Sequence, residues 1–351
     1  MLPSALGDQI LSPFQFIETR KGRLVLLFYD GFEWRARETL GDRAAAQFRR
    51  GARHAYRTLR GTQVFTGYYS SFRALRQGLE DLGCDVRVND FATARRHPFY
   101  PIGLAGYPSV LKAVLLPNPV LFGPGDFGDP QTAATVAREP RIRFLIRAGE
   151  WLRQMYVPSC GEKVVTWPSA IDTDRWLPSA KKAKAYDVLI YDKIYHEREE
   201  LLVKVLEPLQ HHLQSLSLSY AVVRYGEHHE QDYFKALSRS RSLAFLSHHE
   251  TQGRAYIEAM SCGLPVFAWD QGRFMDACLA QNMPQGVEVS SVPYFDERCG
   301  TRFKIGDVEP KFDQFWRDLD SFRPREFVLE NFSLKARAES YLSIYSRAGV
   351  S

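Results

Sequence analysis

The chain has no apolar run approaching the roughly 20 residues that cross a bilayer; LVLLFY from Leu24 and VLKAVLL from Val110 both stop well short. No membrane-spanning helix is therefore expected. Its opening residues, MLPSALGDQILSPFQ, lack the basic segment, apolar stretch and small-residue site of a secretory signal, so a cytoplasmic location is expected. Cysteine is scarce: Cys84, Cys160, Cys262, Cys278 and Cys299 are scattered and odd in number, and no two form a Cys-x-x-Cys pair. That pattern suits a reducing compartment and argues against a disulfide framework or structural zinc. The histidine doublets His211-His212, His228-His229 and His248-His249 also lack the i, i+4 spacing that puts two ligands on one helix face. Neither a bound metal nor a cofactor is expected.

What is present is ordinary globular protein, with 45% hydrophobic and 25% charged residues. A length of 351 residues exceeds what one core usually supports, so two domains are expected. The net charge of +5 is modest, but the excess is local. Arg35, Arg37, Arg43, Arg49, Arg50, Arg53, Arg57 and Arg60 fall in one helix-like stretch that also holds Phe48 and Tyr56. Such a surface suits anionic lipid headgroups and equally suits a solvated helix face. No nucleic-acid-binding motif accompanies it, so nucleic acid is not an expected partner.

Strand and helix signals alternate along the chain. Arg23 to Tyr29 is a compact apolar run closed by Asp30-Gly31. Phe72, Leu75 and Leu79 have helical spacing ahead of a terminating Gly83, and CDVRVND reads as the next strand. PNPVLFGP, RIRFLIR and EKVVTW are further strand candidates. Composition then turns to Lys, Ala and Ser in LPSAKKAKAYD, which predicts a linker after Pro178. A second series follows, with strands in DVLIYDK, SYAVVRYG, SLAFLSH and GLPVFAW and a helix in REELLVKVLEPLQHHLQ. Two parallel α/β domains result, whose ligand cleft lies where the carboxyl ends of their strands face each other.

The chemically informative stretch is SLAFLSHHETQGRAYIEAMSCGLPVFAWDQG, residues 242–272. Glu250 follows an apolar strand, Gly253 opens a helix and Glu258 lies more than one turn inside it. A strand-loop-helix of this kind presents free backbone N–H groups and the positive end of a helix to a diphosphate, and a glycine lets the backbone approach closely. Carboxylates on either side can accept hydrogen bonds from hydroxyls flanking that diphosphate. A nucleotide sugar has this form: ribose, diphosphate, sugar.

This segment resembles the Glu-x7-Glu donor motif of the retaining family-four glycosyltransferases, which have the GT-B fold. The resemblance implies that Glu250 faces the donor sugar and Glu258 binds the ribose hydroxyls, with Thr251, Gln252, Gly253 and Arg254 completing the donor loop. VVTWPSAIDTDRWLP resembles the family's interdomain sequence through Ile171 and Asp172, and SYAVVRYGEHHEQDYFKAL places Gly226 beside the nucleotide. Lys193 and Arg198 match the family's two cations for the leaving diphosphate, in reversed order. FVLENFSLKARAESYLSIYSR resembles the closing helix that returns to the first domain. The implied layout is an acceptor-side domain over 1–178, a donor domain over 186–332 and a crossover helix over 333–351.

On the first domain, Gly67 sits where the family has a donor-facing loop, and it reads as well as an ordinary turn glycine. Asp126 and Asp129 in GPGDFGDP stand near a position where the family often has histidine, and a plain turn is the other reading. The resemblance implies sugar transfer from a nucleotide-diphosphate sugar to a saccharide or lipid-linked acceptor, with retained configuration and no metal. The arginine-rich stretch adds a peripheral contact with anionic membrane, as in surface-polysaccharide, lipopolysaccharide or glycolipid synthesis. A nucleotide-sugar epimerase and a non-catalytic nucleotide-sugar-binding protein share the architecture and remain as alternatives.

Overall fold

A computed structural model describes residues 14–38, 40–59, 66–125, 128–178, 184–274 and 280–349. The first sheet holds β1 (Glu18–Thr19), β2 (Gly22–Asp30), β3 (Asp85–Val88), β4 (Ile102–Gly106), β5 (Val120–Gly125), β6 (Ile142–Arg147) and β7 (Val164–Thr166). Only the short β1 is antiparallel; the rest run parallel in the order β3-β2-β4-β5-β6-β7. The second sheet holds β8 (Tyr186–Lys193), β9 (Tyr220–Arg224), β10 (Ser240–Ser247), β11 (Val266–Trp269) and β12 (Gly300–Phe303), parallel in the order β9-β8-β10-β11-β12. Both sheets are doubly wound with the same reversal: the first long strand lies between the second and the third. A crevice opens at that reversal, where loops leave the carboxyl ends of two adjacent strands in opposite directions.

Strand β4 was absent from the sequence-based expectation because it does not look like a strand. Its Gly103 has no room for a side chain: a Cβ there would lie 2.2 Å from the Tyr341 hydroxyl and 2.8 Å from Leu27. Packing against the C-terminal helix thus overrides strand propensity at the centre of the sheet. Strand β12, with the sequence GTRF, was missed for a similar reason, since the Gly300 Cβ would meet the Val266 backbone at 2.0 Å.

The chain passes from one core to the other just after β7. Trp167 packs in the first core, whereas Ile171 and Trp176 pack in the second, and Ile171 donates its N–H to Phe332 O at 2.8 Å. The crossing therefore precedes Pro178, because two large buried side chains hold 171–176 to the second domain; residues 179–183, the linker read from composition, lie outside the described residues. Near the end, helix Pro324–Phe332 packs on the second domain and helix Leu334–Ala348 on the first, with Ser333 between them capping Ala336 N at 3.3 Å. Ala338, Tyr341, Leu342, Ile344 and Tyr345 belong to the first core, and the Tyr345 hydroxyl accepts from Leu26 N at 3.1 Å. Among the described residues no helix is long and apolar enough to cross a membrane.

Candidate active site

The cleft between the two sheets encloses a cavity of about 920 Å³, ample for a nucleotide-sized ligand. On the second domain it is built at the reversal point. Lys193 ends β8, its register partner Ser247 ends β10, and Glu250 follows in the loop. Lys193 Nζ donates to Glu250 Oε1 at 2.6 Å, and Ser247 Oγ donates to the same oxygen at 2.9 Å. Tyr225 lies on the other side of the ammonium, its ring centroid 4.6 Å from Nζ. Burial alone would lower the Lys193 pKa, but the charge and hydrogen bond of Glu250 outweigh it and hold the ammonium above its usual range. A fixed cation therefore stands on the cavity wall.

The loop from Glu250 to Gly253 then enters helix Arg254–Ser261. Gly253 adopts φ +78°, a left-handed conformation that a side chain would strain, and a Cβ there would sit 2.1 Å from the Tyr256 ring. No side chain caps the helix, so its first N–H groups are left for a ligand. Glu258, one turn in, is partly buried on the cavity wall with Arg254 Nη2 3.3 Å from its Oε1. Burial raises its pKa, and the charges of Arg254 and Arg175 offset that only in part. A half-desolvated carboxylate of this kind favours a hydroxyl donor that completes its hydrogen bonding.

Sequence reasoning placed ten residues at this site, and nine of them line one cavity: Gly67, Lys193, Gly226, Glu250, Thr251, Gln252, Gly253, Arg254 and Glu258. Their side chains do not all point to a ligand. Gln252 is turned to the interdomain segment, accepting from Ser169 N at 3.0 Å and Oγ at 2.9 Å and donating to Ser169 O at 2.7 Å. Arg254 likewise donates to Ser169 Oγ and Ala170 O at 3.0 and 3.1 Å. Trp151 Nε1 holds Glu250 O at 2.9 Å, so the loop is tied to the first domain at one end and to the domain crossing at the other. Gly226, at φ +83° with open space around it, turns the loop after β9 into the cleft.

Arg198 is the tenth, and it does not line the cavity. Its guanidinium forks onto Asp192, Nη1 to Oδ1 at 3.0 Å and Nη2 to Oδ2 at 2.7 Å, and also donates to Ile194 O. Asp192 is buried, so the pairing satisfies a carboxylate that would otherwise be desolvated alone and fixes the turn carrying Lys193. Arg198→Gln is therefore expected to lower stability by about 2–3 kcal/mol, less than a fully buried pair because the arginine is a quarter exposed. Chemical denaturation would show it as a lower midpoint at unchanged slope.

His248, two residues before Glu250, lies off the cavity among Trp269, Tyr195 and His196. His196 N donates to its Nε2 at 3.3 Å. Burial, then the neighbouring histidines, bring its pKa from 6.5 to about 4. Between those values the unfolded chain takes a proton that the native state refuses, so stability falls as pH falls through this window, by at most ~3 kcal/mol. Urea denaturation of wild type and His248→Phe at pH 7 and near pH 4.5 should show the variant losing less.

On the first domain, Thr66 Oγ1 accepts from Tyr69 N at 3.3 Å and caps helix Gly67–Asp81, whose first turn lines the cavity with Tyr68 and Ser70. Glu33, buried beside it, accepts from Thr66 N at 2.7 Å and from the Tyr29 hydroxyl at 2.9 Å. Asp129 lies off the cavity and caps helix Pro130–Ala137 through Thr132 N at 2.8 Å; Asp126 lies outside the described residues. Thr66 and Glu33 had no motif to announce them, because they come from separate parts of the chain, whereas Ser247 and Tyr225 stand inside the motif segments and were not singled out there.

Two doubly wound sheets, a cleft between their carboxyl edges and a final helix returning to the first domain define the GT-B fold. The chain superposes on sucrose-phosphate synthase from Thermosynechococcus elongatus with a TM-score of 0.57 at 12% identity, over 93% of this chain and 99% of that one. A glycosyltransferase from Rickettsia africae gives 0.54 at 13% identity, over 82% and 97%. At such identities the likeness is one of fold. No protein-family model matches the sequence, and no curated protein matches it either.

Proposed function

We propose that the protein is a glycosyltransferase that moves a sugar from a nucleotide-diphosphate donor to an acceptor hydroxyl with retention. The observation that supports it most is the pairing of Lys193 with Glu250 at the sheet reversal, one loop away from an uncapped helix start and the partly buried Glu258. In this reading Glu258 accepts from the ribose, the first N–H groups of helix Arg254–Ser261 take the diphosphate, and Glu250 orients the sugar. The bond from the anomeric carbon to the leaving phosphate oxygen breaks through an oxocarbenium-like state, and the acceptor oxygen attacks from the same face. Its proton passes to the departing phosphate oxygen. Lys193 stabilises that phosphate as its charge grows, with no metal required.

The acceptor is proposed to be a saccharide or lipid-linked precursor met at the inner face of an anionic membrane. Saturation-transfer NMR with UDP-, GDP-, ADP- and CMP-sugars is the first test. One donor class is expected to bind, to survive EDTA, and to weaken about tenfold or more in Glu258→Ala, the scale of a lost charge-assisted hydrogen bond. No binding to any donor, or equal binding by the variant, would remove the donor site from this place. Turnover of the donor without an acceptor would favour an epimerase, and binding without turnover on any acceptor a non-catalytic module.

A further inference from the structure

Helix Leu40–Leu59 is mounted the reverse way to an ordinary surface helix. Arg50 and Arg53 turn inward, while Arg49 is exposed. Arg50 lies 5.8 Å over Trp34 with Nη2 3.4 Å from the Tyr69 hydroxyl, and Arg53 lies 5.1 Å over Phe32 and 3.7 Å from Glu33. Its apolar positions turn outward: Ala44, Ala45, Phe48, Ala52, Ala55 and Tyr56 are all exposed, Phe48 at 80% and Tyr56 at 55%. Ala44, Phe48, Ala52 and Tyr56 recur every four residues and so form one stripe along the helix. Phe32, 54% exposed, stands beside it under Arg53.

An apolar stripe facing water is a surface that something covers. We infer that this helix docks flat on an anionic lipid bilayer, with the Phe48 stripe at the acyl boundary and the exposed Arg49 among the headgroups. Charge selects this occupant. Residues 35–60 hold eight arginines against Glu38 and Asp42, and a bilayer supplies both an apolar layer and a diffuse negative field around it. Long arginine stems reach the headgroup level from a helix lying in the interface. The docked helix also connects to the cleft: Arg53 pairs with Glu33, and Glu33 holds Thr66 N at the start of the helix whose first turn lines the cavity. Docking would therefore set the acceptor wall beside the lipid surface.

The inference deepens the membrane part of the proposed function and needs no sugar chemistry, so the two can fail separately. Flotation of the purified chain with neutral phosphatidylcholine vesicles and with vesicles holding about 30% phosphatidylglycerol tests it. Wild type should float with the anionic vesicles alone, and Phe48→Glu should reduce that binding about tenfold or more. Ala52→Glu, on the same stripe, should act alike, while the far-ultraviolet circular dichroism and melting temperature of both stay at the wild-type level and show that they are folded. Failure of wild type to float with anionic vesicles, or equal flotation of both variants, would overturn the inference. So would a concentration-dependent dimer that Phe48→Glu dissolves, since a second copy of the chain would then be what covers the face.

Discussion

Lys193→Ala is expected to lower the turnover number by about 10²–10³ while changing donor affinity far less, the scale seen when one preorganised charge is removed from a transition state. Lys193 ends β8 beside the strand that delivers Glu250, lies on the cavity wall, and is held 2.6 Å from the Glu250 carboxylate, so it cannot swing away to solvent as a surface lysine would. Arg198, the other cation read from the sequence, is occupied by Asp192, so the proposed mechanism assigns the leaving group to Lys193. The substitution also strands Glu250, which is about one-tenth exposed, and should cost roughly 2–3 kcal/mol of stability. Lys193→Arg keeps the cation and should recover part of the turnover. Steady-state kinetics that showed unchanged turnover in the alanine variant would take Lys193 out of the chemistry, whatever its effect on stability.

Gly253→Val should abolish donor binding and lower the melting temperature by about 5–15 °C, from ~2–5 kcal/mol of combined backbone strain and overpacking. Two constraints meet at this residue. Its φ of +78° is one that β-branched residues avoid, and its Cβ direction runs into the Tyr256 ring at 2.1 Å. That ring cannot give way, because Tyr256 is fully buried and its hydroxyl is held by Tyr294 N at 3.1 Å and Tyr294 O at 3.3 Å. Relief must come from the loop, which carries Glu250 on one side and the helix N–H groups on the other. Calorimetry and donor titration by NMR would check the pair of effects. A variant that melts like wild type and still binds donor would show that the loop does not depend on the left-handed turn.

The two halves of the chain differ in how much of them was legible. In the second domain every strand but β12 is an apolar run, and strand, loop and helix of the segment 242–272 are contiguous, so the local pattern names residues that the fold keeps together. The first domain's cleft wall comes from Thr66, Tyr107 and Arg147, with Glu33 behind Thr66, residues that lie far apart in the sequence and meet because β2, β4 and β6 end along one edge of the sheet. Strand β4 was hidden by glycine at Gly103 and Gly106, whose reason is the close approach of Tyr341 and of the Asp30 backbone. Packing of that kind leaves no local signature.

Side-chain partners were the least legible feature. Arg198 and Gln252 stand in motif positions, yet one is claimed by buried Asp192 and the other by Ser169 at the domain crossing. A spacing rule fixes where a Cα goes in a loop or helix, but burial and hydrogen-bond geometry decide what the end of a long side chain meets. The arginine-rich stretch shows the same division, for its amphipathic pattern was plain while the direction in which it is mounted was not.

The sequence by itself determined the alternation of strand and helix, the presence of two α/β domains, and a strand-loop-helix with two carboxylates and a turn glycine in fixed register, because each follows from short-range periodicity and backbone sterics. Only the tertiary structure decided that Lys193 rather than Arg198 faces the cleft, that Gln252 and Arg254 fasten the donor loop to the domain crossing, and that helix Leu40–Leu59 shows water its apolar face. Those outcomes depend on which desolvated partner lies nearest once distant strands have been brought together, and no local pattern carries that distance.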